Sequence, residues 1–157
     1  TQLQSMGYSP AKAAKDGVII RFGHATHATE AQLVAIRDLG IYVEANIGSN
    51  LATKSIGKIA DHPLLLALYH QTPMILSTDG QGVMGTNLTK EYEAASDLLN
   101  GFLSNEEPIV IAGRERYFRD LSPLEQARFD MSVLRGWEQA YRRDLVRADG
   151  QDARRRP

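Results

Sequence analysis

A histidine and an aspartate follow two different apolar segments of this chain, and the two side chains could do chemistry together. His24 follows "VIIRFG" at positions 18–23, and Asp79 follows "PMILST" at positions 73–78. Neutral imidazole and carboxylate are groups that bind zinc and transfer protons. Two plainer interpretations stay open at this point: a structural role for His24, and an ordinary Asp-Gly turn formed by Asp79 and Gly80.

The segments around these residues alternate between strand and helix patterns. Strands are predicted at 18–24, 41–46 and 73–78, with helices at 29–40, 61–70 and 87–103 between and after them. Such alternation predicts parallel strands with crossover helices, whose carboxyl ends meet at one edge and bring His24 and Asp79 together. A closed barrel takes eight strands, so three make either a small open sheet or part of a barrel. Because the chain starts at Thr1, we expect a processed product or a piece of a longer protein.

The last third of the chain has a different pattern. "PIVIAG" is compatible with a short strand or a packed loop, and Ser122 with Glu125 forms capping-box spacing that predicts one long helix. The predicted packing stripe of that helix consists of Leu124, Ala127, Met131, Leu134, Tyr141 and Leu145, with Trp137 beside it. We therefore predict two parts, residues 1–103 and a mainly helical extension at 104–157 that ends in a basic tail.

Composition limits the function classes. The formal net charge is -1, so we expect no nucleic-acid partner, and the absence of cysteine excludes disulfides and thiolate metal sites. No apolar run approaches the roughly 20 residues that span a membrane, so no membrane partner is expected and a cytoplasmic location is the default.

Four segments of the chain resemble, in the same order, motifs of the adenosine deaminase and AMP deaminase group of metal-dependent aminohydrolases. The segments are "RFGHATH" (Arg-x-Gly-His), "EANIGSN" (Glu-x-Cys-Pro-x-Ser-Asn), "DHPLLLALYHQTPMILSTDG" (a His-Pro helix leading to a Thr-Asp-Asp strand end) and "GTNLTKEY" (Leu-x-x-Glu-Tyr). They span about residues 18 to 95. The resemblance implies a partial (β/α)8 barrel that holds the last three parallel strands, followed by the helical extension.

The resemblance also implies a function, the zinc-dependent hydrolytic deamination of a purine nucleoside or nucleotide. Asp79 would be a zinc ligand that also accepts a hydrogen bond from the attacking water, and His24 would orient that water and stabilise charge. Gly80 stands where the family has a purine-binding aspartate, which puts adenosine itself in question as the substrate. Glu44 matches a family glutamate, and either an ion pair with Arg21 or a catalytic role would explain it.

The resemblance is incomplete, because the family's His-x-His and His-Ala-Gly-Glu segments are absent from the chain. His27, His62 and His70 do not replace them. We therefore expect the isolated chain to be inactive until an N-terminal barrel half, in the same or another chain, completes the site. The alternatives are a degenerate, non-catalytic module used for binding or assembly, and a self-sufficient small α/β domain whose likeness is architectural only.

Overall fold

The three predicted strands form one parallel sheet in the computed structural model, which describes residues 5, 7–9, 12–13, 16–57, 59–78 and 87–155. Strand β1 is Arg21–Gly23, β2 is Tyr42–Ala45 and β3 is Met74–Leu76, and their order in the sheet is β1-β2-β3. In the parallel register Gly23 pairs with Glu44, and Ala45 pairs with Leu76. The strands are shorter than predicted, but their order and direction confirm an α/β fold.

Helices connect the strands and follow the last one. They are α1 (Glu30–Asp38), α2 (Ile47–Ala52), α3 (Leu64–His70) and α4 (Leu88–Leu103), with a 3₁₀ turn at Ile59–Asp61 before α3. The predicted capping box is present at α1, where the Thr29 hydroxyl accepts from the Gln32 N–H at 3.3 Å and Gln32 Oε1 accepts from the Thr29 N–H at 2.8 Å. Because the strand order follows the chain order, the crossovers lie on one face of the sheet, an arrangement consistent with part of a (β/α)8 barrel.

The main core lies between that face and the helices. Val43 and Ala45 of β2 are fully buried, and they share one apolar cluster with Leu33 of α1, Leu68 of α3 and Phe102 of α4. The cluster continues into the last third of the chain through Leu121, Phe129 and Leu134. The first 103 residues and the remainder therefore pack around a common core.

The opposite face of the sheet is covered by the last helix, α6 (Met131–Arg155). The Tyr42 hydroxyl donates to Asp144 at 2.9 Å, and the rings of Tyr42 and Tyr141 meet edge to face with centroids 5.1 Å apart. Arg21 donates to the Tyr141 hydroxyl at 3.3 Å, so two of the three strands hold this helix through polar side chains.

The prediction of one long helix from Ser122 is wrong. Helix α5 (Pro123–Gln126) ends after one turn, although its predicted capping box is present, and α6 begins only at Met131. The break lets Phe129 enter the core, where it is 4% exposed and its ring centroid is 4.6 Å from that of Phe102. The predicted packing stripe also fails at its ends, because Leu124 is 75% exposed and Leu145 is 39% exposed.

The segment "PIVIAG" supplies a strand of a hairpin. Strand β4 (Ile109–Ile111) pairs antiparallel with β5 (Arg114–Arg116), a strand that its charged residues did not predict. Ala112 and Gly113 form the turn with φ of 50° and 74°, the left-handed pair that tight hairpins need. No helix in the described part of the chain is both long and apolar enough to cross a membrane.

Candidate active site

The carboxyl ends of the three strands carry the predicted polar residues along one edge of the sheet. His24 follows β1 and donates its N–H to the Glu44 carbonyl at 2.8 Å, while Ser77 follows β3 and donates to the Ala45 carbonyl at 3.0 Å. These two hydrogen bonds extend the backbone pairing of the sheet by one residue after β1 and after β3, so His24 and Ser77 both lie at the carboxyl edge of the sheet. Asp79 and Gly80, predicted to join His24 there, lie outside the described residues, just beyond Thr78.

The backbone at the end of β1 is strained. His24 has φ of 62° and Ala25 has φ of 45°, and both angles fall in the left-handed region that residues with a Cβ rarely adopt. Each such residue costs on the order of 1–2 kcal/mol, and conformations of this kind concentrate at functional sites. The strain turns the chain sharply after the strand and presents His24 at the edge of the sheet.

The His24 ring contacts a buried amide from the next connection. Its Nδ1 atom lies 2.7 Å from Oδ1 of Asn50, which is 1% exposed on helix α2. Asn50 is the last residue of the "EANIGSN" segment, but only the fold shows that its side chain reaches His24. This contact fixes the orientation of the imidazole relative to the sheet.

A second histidine lies beside this pair, although no role in the site was expected for it from the sequence. His62 is 3% exposed, and its Nδ1 accepts the Leu64 N–H at 3.2 Å, so the neutral ring carries its proton on Nε2. Burial, followed by the proximity of His24, lowers the pKa of His62 to about 4. His62 is therefore a neutral imidazole at pH 7 and a hydrogen-bond donor through Nε2.

Three buried polar atoms at this edge have no hydrogen-bond partner among the described residues. They are Asn46 Oδ1, Asn50 Nδ2 and His62 Nε2. A buried donor or acceptor without a partner costs about 1–3 kcal/mol, so native proteins seldom leave such atoms unsatisfied. Their concentration beside His24 marks a place where another polar group, from a ligand, water or another segment, would be bound.

A carboxylate from helix α4 supports the site from behind. Glu91 is 1% exposed, and its two oxygens accept the Gly48 N–H at 3.2 and 3.1 Å. Helix α2 has no side-chain cap of its own at Asn46, so Glu91 satisfies a backbone donor in its first turn. The contact holds in place the short helix that carries Asn50.

Glu44 forms an ion pair with Arg21 on the face toward α6, which is one of the two explanations left open by the sequence. The Arg21 Nε and Glu44 Oε2 atoms are 3.6 Å apart, and Glu44 borders a cleft of about 320 Å³ that also includes Ser77, Thr78 and Tyr141. The cleft opens beside the carboxyl end of β3. The ion pair accounts for a carboxylate inside the strand without assigning it a catalytic role.

The remaining histidines lie on helices or loops. His27 is exposed before α1, and His70 Nε2 is 3.0 Å from Glu30 Oε2, a pairing that joins the end of α3 to the start of α1. Within the described ranges, no group of three or more His, Cys, Asp or Glu side chains could hold a metal ion. The residues present thus offer ligand types that suit zinc, but too few of them in the described part of the chain.

The fold and the site together define the class of protein. It is an α/β protein whose candidate site lies at the carboxyl edge of a parallel sheet. More specifically, residues 11–107 match the family model described as adenosine deaminase, and the chain belongs to the adenosine deaminase family.

Curated relatives carry names consistent with this family. The chain is 36% identical over 85 residues to aminodeoxyfutalosine deaminase of Acidothermus cellulolyticus, a match that covers 54% of this chain and 24% of the relative. It is 33% identical over 112 residues to adenosine deaminase of Erwinia tasmaniensis, covering 60% of this chain and 34% of the relative. It is 31% identical over 109 residues to N6-mAMP deaminase of Arabidopsis thaliana, covering 69% and 31%.

The matched region spans about a quarter to a third of the length of these relatives. No solved structure matches the chain significantly.

The strain at the end of β1 predicts a stabilising substitution. Ala25→Gly should raise the free energy of unfolding by about 1 kcal/mol, because glycine adopts a positive φ without the cost that a Cβ imposes. Urea unfolding would measure the change. The matched control is Ala35→Gly within α1, which should lower stability by about 1 kcal/mol, and equal losses in both variants would show that Ala25 is not strained.

The depressed pKa of His62 predicts acid sensitivity. In the unfolded chain the ring takes up a proton near its ordinary value of 6.5, whereas the folded chain does so near 4. The unfolded state therefore binds more protons between these values, and stability falls as the pH falls through this window. From pH 7 to pH 5 the contribution of His62 should fall by about 2 kcal/mol.

Urea unfolding at the two pH values would measure this loss, with His62→Asn as the comparison. Asparagine keeps an acceptor for the Leu64 N–H and does not titrate. The variant should lose about 2 kcal/mol less between pH 7 and pH 5 than the parent chain does. An identical loss in both proteins would contradict the assignment of the acid sensitivity to His62.

Proposed function

We propose that this chain is the C-terminal part of a (β/α)8-barrel enzyme that hydrolytically deaminates a purine nucleoside or nucleotide in the cytoplasm. The observation that carries the proposal is His24, which is held in strained backbone at the carboxyl end of a parallel strand, beside buried polar atoms that have no partner among the described residues. The family match over residues 11–107 supports the type of reaction, since the relatives described above all carry deaminase names.

The site residues divide the chemistry between them. Asp79 would hold zinc and accept a hydrogen bond from the attacking water, and His24 would orient that water and stabilise the charge that develops during attack. When bound, zinc supplies hydroxide at neutral pH by lowering the pKa of its water to about 7. The water oxygen bonds to the amino-bearing carbon of the purine, and the bond from that carbon to the amino nitrogen breaks. One proton of the water ends on the adjacent ring nitrogen and the other on the amino group, which leaves as ammonia.

Gly80 argues against plain adenosine as the purine compound on which this chain acts. Gly80 occupies the position where the family resemblance implies a base-binding aspartate, so a charged hydrogen-bond acceptor is missing at the base. The relatives include aminodeoxyfutalosine and N6-mAMP deaminases beside an adenosine deaminase, and compounds of these kinds are the first to test.

The site is completed by a partner, an N-terminal barrel half in the same or another chain. A zinc site needs about four ligands, and Asp79 is the one ligand proposed from this chain. The two outer strands of the sheet, β1 and β3, each have one neighbour among the described strands. Pairing with further strands would satisfy these edges and enclose the His24 site.

Completion of the barrel requires helix α6 to leave the sheet. Crossover helices lie outside a (β/α)8 barrel, so the face that carries Tyr42 and Glu44 becomes the barrel interior, where α6 now packs. The contacts that hold the later part of α6 to β1 and β2 are polar and partly exposed, as shown by the Tyr42–Asp144 hydrogen bond, whereas Leu134 near the start of α6 is buried in the apolar core. Polar contacts of this kind contribute little each, so displacing the later part of α6 costs less than removing Leu134 from the core would.

A second function has one observation in its favour. The same coverage of the inner sheet face by α6, together with Gly80 in place of an aspartate, is compatible with a non-catalytic relative that binds or assembles with another protein. That module would bind no zinc after the missing half is restored.

Zinc stoichiometry and deaminase activity test the proposed function. The isolated chain should bind little or no zinc after dialysis, whereas the chain joined to its upstream segment should bind about one zinc ion, which Asp79→Ala removes. In the joined protein His24→Ala should lower kcat at least about 100-fold, because it removes a group that acts on the attacking water. His27→Ala is the matched control, since this exposed histidine should be dispensable.

Two results would contradict the proposal. One zinc per isolated chain, lost in Asp79→Ala, would mean that this chain builds a metal site alone. A joined protein with neither zinc nor activity would favour the non-catalytic module.

The displacement of α6 has its own test, hydrogen exchange of the α6 amides. In the isolated chain Tyr42→Phe removes the bond to Asp144, worth about 1 kcal/mol, and should speed exchange in that part of α6 roughly fivefold. Tyr69→Phe, which removes a 2.9 Å bond to Glu125 of α5, is the control and should leave α6 unchanged. In the joined protein Tyr42→Phe should have no effect on α6; a fivefold effect there would show that the helix stays on the sheet.

A further inference from the structure

Asn50 is a buried amide for which the proposed function has no role. Asn50 is 1% exposed. Its backbone N–H donates to the Asn46 backbone carbonyl at 2.9 Å, and its backbone carbonyl accepts from the Ser55 hydroxyl at 3.0 Å. The backbone around Asn50 is therefore held from both sides. A residue fixed this firmly can determine the position of whatever its side chain contacts.

The side chain of Asn50 contacts one nitrogen of the His24 ring. The Oδ1 atom lies 2.7 Å from His24 Nδ1, and an amide oxygen can only accept a hydrogen bond. The proton of a neutral His24 must then lie on Nδ1, which leaves the lone pair on Nε2. An amide does this without adding a negative charge, whereas a carboxylate at the same place would favour the imidazolium form.

His62 lies beside the same ring. Burial, and then the proximity of His24, lowers the pKa of His62, so this neighbouring ring is neutral at pH 7. The left-handed backbone of His24, at φ of 62°, sets the position from which its ring reaches Asn50. The amide therefore selects the tautomer of His24, and the second histidine adds no charge beside it.

We propose that Asn50 is a positioning residue that holds His24 as the Nδ1–H tautomer, with the Nε2 lone pair directed to the reacting water. This inference rests on the proposed function in one respect: the proposed function identifies the reacting water as the group that His24 Nε2 contacts. The tautomer itself is a property of this chain and does not depend on zinc, on substrate or on the missing barrel half.

Nitrogen NMR of the isolated, ¹⁵N-histidine-labelled chain tests the tautomer directly. Long-range proton–nitrogen spectra at pH 8 should show His24 with the proton on Nδ1, and the His24→Gln variant assigns its signals among the four histidines. Asn50→Ala should convert His24 to the Nε2–H form or to a mixture, because the acceptor is gone. Asn50→Asp retains an acceptor and should retain the Nδ1–H form.

Thr53→Ala is the control on the same short helix, since its hydroxyl bonds the Ser49 carbonyl at 2.8 Å rather than His24, and it should leave the tautomer unchanged. If Asn50→Ala does not fold, Asn50→Ser replaces it with the same expectation, because its shorter side chain does not reach the ring. An Nε2–H form in the parent chain would overturn the proposal. So would an Nδ1–H form that persists in Asn50→Ala or Asn50→Ser.

The joined, active protein adds a kinetic measurement. There Asn50→Ala should lower kcat about 10- to 100-fold with little change in KM, and Asn50→Asp should recover part of the loss. Equal loss in the two variants would show that the amide position matters only for folding. Absence of activity in the joined parent protein would contradict the proposed function and leave the NMR result standing.

Discussion

The parallel pairing of three strands in chain order is the constraint on which the rest of this structure depends. Because the strands pair in chain order, each crossover helix packs on the same side of the sheet, and that face lies against the helices and the main apolar core. The same order brings the carboxyl ends of all three strands to one edge. The location of the candidate site and the presence of a second, uncommitted sheet face both follow from this single arrangement.

The two faces differ in how firmly they are covered. Fully buried residues such as Val43 and Ala45 make the helix side of β2 apolar, and each alternates with a residue of the other face, Tyr42 or Glu44. On β1 and β2 that other face meets α6 through hydroxyl, carboxylate and guanidinium groups, and a cleft remains open beside β3. In the isolated chain, α6 supplies hydrogen-bond partners to the polar side chains of this face. Other polar groups, such as those that line a barrel, could replace α6 in these contacts.

Much of the fold could be predicted from the sequence because its signals are local. Three strand segments, the capping boxes at Thr29 and Ser122, and the placement of His24 after a strand all depend on residues within a few positions of one another. The break before α6 could not be read in this way, because it is set by Phe129 packing on Phe102, a contact between distant residues. The helix pattern around Leu124 was regular enough to conceal it.

The same distinction applies to the candidate site. His24 was found through its position in a strand-end motif, and the match of residues 11–107 to the adenosine deaminase family confirms the resemblance that this motif carried. His62 could not be found, since an isolated His-Pro at a helix start gives no indication that the ring is buried beside a strand end 38 positions earlier in the chain. The support that Glu91 of α4 gives to α2, two helices earlier, was likewise visible only as a motif match and not as a contact.

The energetics of the edge explain why these residues occur together. Left-handed backbone at His24 and Ala25, together with three buried polar atoms that have no partner among the described residues, destabilises the fold by several kcal/mol on general grounds. A sheet edge with only a structural task would gain from replacing them by apolar residues in relaxed backbone. Their presence at the point where the strand ends converge is what a site with a ligand to bind requires, and the imidazole of His24, oriented by Asn50, is the group that such an arrangement makes available.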